Sequence, residues 1–148
     1  MTRLFLLCLL CPALFNDLKA QQGNPEAAAK KSDLWLTYPG SKGPGKGKHV
    51  VLIAAEQEYR SEQSMPMLAK VLSSHHGFDC TVLFSVNEKG EVVPTVPAPF
   101  KDKEKRHNIP GLDHLEKADC VIWISRFMHL PEEQMQHFYD YFDSGKPL

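Results

Sequence analysis

The sequence predicts an α/β fold, a mostly parallel sheet with helices on both faces. Three observations predict it. Val50 to Ala55 and Cys120 to Ser125 are apolar runs without polar alternation, the pattern of strands covered on both faces. Met67 to Leu72 and Met135 to Phe142 carry apolar residues at helical spacing. Strand and helix alternate three times along the chain, which calls for right-handed crossovers between parallel strands.

The chain has 148 residues, the length of one domain. Met1-Thr2-Arg3 is followed by an almost purely apolar stretch, Leu4 to Phe15, and then by a polar patch ending in Lys19-Ala20-Gln21. A basic start, a short apolar core and a small residue at the cut point read as a secretory signal peptide over residues 1–20. Twelve residues reach only about 18 Å as a helix, short of the ~30 Å hydrocarbon core. Cleavage after Ala20 takes Arg3, Lys19 and Asp17 from 17 basic and 18 acidic side chains, leaving a formal charge of −2. That balance provides no long-range attraction to nucleic acid or to an anionic surface. Cys80 and Cys120 are the two cysteines left, too few for a disulfide scaffold. The fold must therefore stand on a hydrophobic core, in a secreted or periplasmic protein.

Residues 21–48 are rich in Gly, Pro, Ala and Lys and read as a flexible linker. Its middle carries Trp35, Leu36 and Tyr38, bulky enough to pack onto the domain. Ordered structure is expected from His49, and the domain occupies residues 49–148. The first strand runs to Ala55. A helix follows with Met67, Leu68, Val71 and Leu72 as its apolar stripe. Pro66 places its regular start near Ser64 or Met65, and Gly77 caps its end. Phe78 to Val86 is the second strand. Leu112 to Lys117 forms a short helix, and Cys120 to Ser125 is a third buried strand. Pro131 to Ser144 is a helix with proline at its first position, Glu132 and Glu133 at the positive dipole end, and Gly145 as its cap. Met135, Phe138, Tyr139 and Phe142 mark its buried face. Burying four such side chains is worth roughly 6–12 kcal/mol, against an ordering cost of ~1–2 kcal/mol per residue, so neither helix stands without the sheet. At Gly145-Lys146-Pro147-Leu148 a turn has been made and a fourth strand is expected to start, as in an incomplete domain.

"GPGKGKH", Gly43 to His49, resembles a phosphate loop but precedes a strand rather than opening a helix, and it lacks Ser or Thr after the lysine. It reads as a lead-in. The cluster Glu56-Gln57-Glu58-Tyr59-Arg60-Ser61-Glu62 lies between the first strand and its helix. In open α/β sheets ligands bind beyond the carboxyl ends of strands. The third strand ends in Ser125-Arg126-Phe127, so Arg126 can face the same crevice. Carboxylates, a phenol and guanidinium groups meeting there suit a small polar ligand, and a glutamate there can act as acid or base. A solvated turn with helix-capping acids fits the same residues. Asn87 to Gly111 leaves the second strand on the crevice side, a connection long enough for a lid or binding loop. "GEVVP" within it fits a short hairpin arm, and Lys101 to Arg106 reads as a solvated run. His75 and His76 suit a helix end. His129 and His137 have no partner at ligand spacing, so no metal site and no cofactor is expected. Cys80 and Cys120 open strands at the opposite edge and read as structural thiols. Trp123 reads as core.

Four segments, "HVVLIAAEQEYRSEQSMPMLAKVL", "HGFDCTVLFSV", "NIPGLDHLEKADCVIWISRF" and "LPEEQMQHFYDYFDSGKPL", together resemble the ThuA-like domain of the trehalose-utilisation type. That family belongs to the class I glutamine-amidotransferase-like superfamily. The resemblance spans roughly His49 to Leu148. It implies a flavodoxin-like sheet, a link to carbohydrate metabolism of glucoside or trehalose type, and a pocket lined by Glu58, Tyr59, Arg60, Ser61, Glu62 and Arg126. It also implies that the domain continues past "GKP" into a strand and a histidine-containing turn. Neither cysteine stands where an amidotransferase nucleophile would, so glutaminase chemistry is not expected. A secreted sugar-related enzyme, a non-catalytic carbohydrate-binding or accessory module, and an inactive fragment all remain compatible with the sequence.

Overall fold

A computed structural model describes residues 30–31, 34–56, 59–87, 90–92 and 107–148. The signal-peptide segment, Glu58 and the charged run 101–106 lie outside the described residues. In chain order the elements are strand β1 (Lys30–Lys31), β2 (Trp35–Tyr38), β3 (His49–Ala55), helix α1 (Ser61–His76), β4 (Asp79–Phe84), a 3-10 helix η1 (Leu112–Lys117), β5 (Cys120–Ser125) and helix α2 (Glu132–Asp143).

The strands form one mixed sheet in the order β1-β2-β4-β3-β5. β3 lies between β4 and β5 and is parallel to both, with Val51 opposite Thr81 and Val121. β2 adds antiparallel to β4, and β1 antiparallel to β2. The missing polar alternation in β3 has a direct cause. Val50, Leu52 and Ala54 face α1 through Met65 and Ala69, while Val51, Ile53 and Ala55 face η1 and α2 through Leu112, Leu115, Phe138 and Tyr141. Helices thus cover both faces, and the α/β class with a mostly parallel sheet is the observed architecture.

Several boundaries and faces differ from the sequence reading. Order does not begin at His49: Trp35 to Tyr38 is a strand of the sheet, because Trp35 and Leu36 each pack on one of the two core clusters. α1 starts at Ser61, three to four residues earlier than Pro66 suggested. The proline sits in the second turn, and what it forfeits is the single bond to the Glu62 carbonyl. The buried stripe of α1 is Ser61, Met65, Ala69 and Ser73, with Leu68 and Leu72 partly buried, whereas Met67 and Val71 are exposed. Small residues on that stripe let the helix lie close to the sheet. On α2, Tyr141 is buried beside Phe138, and Tyr139 and Phe142 are exposed. β5 is half-buried rather than buried, since it forms the sheet's edge. Its Val121 N–H donates to the Pro147 carbonyl at 3.1 Å, so the last residues run alongside it.

Other expectations match. Gly77 caps α1 in the left-handed region at φ 81°, with its N–H on Ser73. The segment after β4 makes a tight turn in which Asn87 N–H donates to the Glu91 carbonyl, and Val86 pairs with Val92. Cys80 and Cys120 are free thiols near the amino ends of their strands, and burial raises the Cys80 pKa to about 12.

Candidate functional site at the carboxyl edge of the sheet

The chain leaves β3, crosses through α1 to β4 on one side, and later places β5 on the other side of β3. Strand order reverses at β3, and such a switch point opens a crevice outside the carboxyl ends. Ala55 pairs with Ser125, so Glu56 and Arg126 leave their strands side by side, about 5 Å apart in the sheet direction.

The turn after β3 is tightly built. Glu56 is only 5% exposed. The Ser61 hydroxyl accepts from the Glu56 N–H and donates to the Glu56 carbonyl, both at 3.0 Å. Ser61 therefore clamps the turn rather than facing a ligand. Arg60 is exposed and takes a left-handed backbone, φ 51° and ψ 48°, just before α1. Phe127, two residues past β5, is also left-handed at φ 54°. Among the described residues these are the two non-glycines with positive φ, and both flank the switch point. Left-handed non-glycine residues carry strain and gather at ligand sites. The Arg126 guanidinium lies 4.7 Å from the Phe127 ring centroid. Tyr59 is 73% exposed. Glu62 is half-buried in the first turn of α1, and its Oε2 is shielded from solvent with no hydrogen-bond partner among the described residues. Of the six residues singled out from the sequence, Ser61, Glu62 and Arg126 are held at this edge. Tyr59 and Arg60 point to solvent, and Glu58 lies outside the described residues.

Two further residues at this edge carry unanswered polar groups, and sequence reasoning missed both. The Ser85 hydroxyl and His107 Nε2 are buried with no partner among the described residues. Ser85 follows β4, and its N–H bonds the Ala54 carbonyl at 3.2 Å. His107 Nδ1 accepts the His129 N–H at 2.9 Å. Burial pushes the His107 pKa down, so the imidazole is held neutral. His107 closes a charged run that reads as solvated, and its partner is 22 residues away, so no spacing in the sequence marks it.

The opposite edge carries a cleft of about 350 Å³ lined by Thr37, His49, Asp79 and Thr81 among others. Three of its side chains are partnered: His49 Nε2 lies 2.9 Å from Thr81 Oγ1, and Asp79 accepts the Gly40 N–H at 2.8 Å. Among the described residues this cleft has no buried unpartnered side-chain group. No helix among the described residues is long and apolar enough to cross a membrane. Comparison with protein-family models, with curated proteins and with solved structures finds no match to this chain.

Proposed function

We propose that the chain is an exported ThuA-like domain of flavodoxin-like, class I glutamine-amidotransferase-like architecture. Its crevice at the carboxyl ends of β3 and β5 binds a small polar ligand of the carbohydrate class. The observation that carries the reading is the pairing of Ala55 with Ser125, which brings the acidic turn and Arg126 to one mouth at the switch point. The sequence resemblance supplies the link to glucosides. Carboxylates accept hydrogen bonds from sugar hydroxyls, and a guanidinium donates to their oxygens. The unpartnered Glu62 Oε2 is the acceptor best placed for this.

Calorimetric titration with D-glucose, methyl α-D-glucoside and trehalose tests the reading, with product formation followed in parallel. Binding of at least one saccharide is expected, with roughly tenfold loss in Glu62→Gln and in Arg126→Ala, the equivalent of about 1.4 kcal/mol each. Absence of binding by all three sugars, or wild-type affinity in both variants, overturns it. Turnover lost without loss of binding in Glu62→Gln would assign Glu62 an acid–base role and make the domain an enzyme. Binding without turnover makes it an accessory module.

A further inference from the structure

His107 spans the loops that leave the strands on either side of β3. Its neighbour Asn108 pairs antiparallel with Val86, just past β4, through the Val86 N–H at 2.9 Å. His107 itself donates its backbone N–H to the His129 carbonyl at 2.7 Å, and His129 follows β5. Because β3 runs between β4 and β5, the segment at His107 crosses the carboxyl end of β3. It does so on the α2 side, where Ile109 and Leu130 join the core cluster of Ala55 and Leu83.

The His129 N–H bonded to Nδ1 fixes the tautomer, which leaves the proton on Nε2. That Nε2–H is a donor shut away from solvent on a residue only 3% exposed, and no group among the described residues answers it. The Ser85 hydroxyl, on a residue 9% exposed, is in the same condition. The Val86–Asn108 pair sets Ser85 opposite Ile109, with His107 two residues further along the same face. Diagonal neighbours of this kind lie about 7 Å apart, close enough to touch one ligand. Beside Ser85, which follows β4, the small side chains of Ala55 and Ser125 form the last rung of β3 and β5. Native proteins rarely leave a buried donor unmade, and here two sit together at the switch point.

We propose that His107 and Ser85 form the donor half of the crevice. The imidazole Nε2–H and the Ser85 hydroxyl bind acceptor oxygens of a saccharide whose own hydroxyls donate to Glu62. A sugar hydroxyl both donates and accepts, so a polyol answers donors on the α2 side and the acceptor at the start of α1 together. The inference rests on the carbohydrate reading of the same crevice.

The test follows the His107 imidazole signal of the wild-type protein by ¹⁵N NMR during titration with methyl α-D-glucoside, trehalose and, separately, inorganic phosphate. Saccharide is expected to move the Nε2–H resonance. Affinity is expected to fall at least tenfold in His107→Asn, whose side-chain oxygen keeps the bond from His129 but offers no donor at Nε2. Ser85→Ala should lose affinity similarly, and His107→Gln, which restores a donor there, should recover part of it. If saccharide binds while the signal stays fixed and both variants bind as wild type, the donor pair is overturned and the carbohydrate reading stands. Should only phosphate move the signal, the donor pair stands and the carbohydrate class falls. If neither moves it and no saccharide binds, both are overturned.

Discussion

Ser61 shows how a residue can be found for the wrong reason. It lies in an acid-rich cluster that reads as a pocket lining, yet its hydroxyl is buried and closes a two-bond ring with the Glu56 backbone. The turn it holds sets where Glu56 leaves β3 and where α1 begins. Ser61→Ala removes from a buried site the hydroxyl that bonds both the Glu56 N–H and its carbonyl, which costs about 1–3 kcal/mol. Urea denaturation should show that loss, and an unchanged midpoint would mean that water or another group already serves the turn. Glu62 and Arg126 were legible because charge beside a strand end has a topological meaning. His107 and Ser85 were not, because a buried, unanswered donor is a property of packing. Ser85 read simply as part of the second strand, and His107 as the end of a solvated run.

At the scale of elements, β3, β5 and α2 were plain in the sequence. Their signals are local: an unbroken apolar run, or a proline and a glycine bracketing an amphipathic stretch. β2 was hidden because four residues between glycines and lysines carry too short a pattern, and their pairing to β4 is made across more than forty positions. The phase of α1 was misread because large residues were taken as the buried ones. Contact with the flat sheet is made instead by Ala69 and Ser73, which bring the helix axis close, and Met67 is left outside. β2 belongs to the domain on energetic grounds. Trp35 packs on the cluster of Leu83 and Ile109, with its ring edge-on to His114 at 5.4 Å. Trp35→Ala should cost about 3 kcal/mol, the low end for losing a buried aromatic. A chain trimmed to begin at His49 should also bare the β4 edge and aggregate. Thermal unfolding and size-exclusion chromatography check both, and a stable monomer starting at His49 would return Trp35 to a linker.

Across the whole molecule, the central strand β3 has an imidazole held neutral at each end. At its amino end His49 is the first residue of the strand. Burial lowers its pKa, helped by His114 with its ring 6.1 Å away and opposed by the Lys117 carbonyl, Asp79 and Asp119. At the carboxyl end His107 is lowered by burial above all; the His129 backbone raises it and the His129 ring lowers it further. In the unfolded chain both titrate near 6.5. Between that value and the lower folded values, the unfolded state binds protons that the native state refuses. Stability therefore rises with pH through this window and falls as pH drops below about 6.5, by at most ~1.4 kcal/mol per pH unit for each imidazole. Asp119 works in the same sense but lower down. The His49 N–H, then Lys48, hold its carboxyl below the ordinary value, so its contribution is present above about pH 4 and is lost only beneath that. A urea midpoint measured at pH 5.5 should accordingly lie below that at pH 7.5. The double variant His49→Gln with His107→Gln should show a smaller difference between the two pH values. Equal midpoints in the wild type would mean that neither ring is buried neutral.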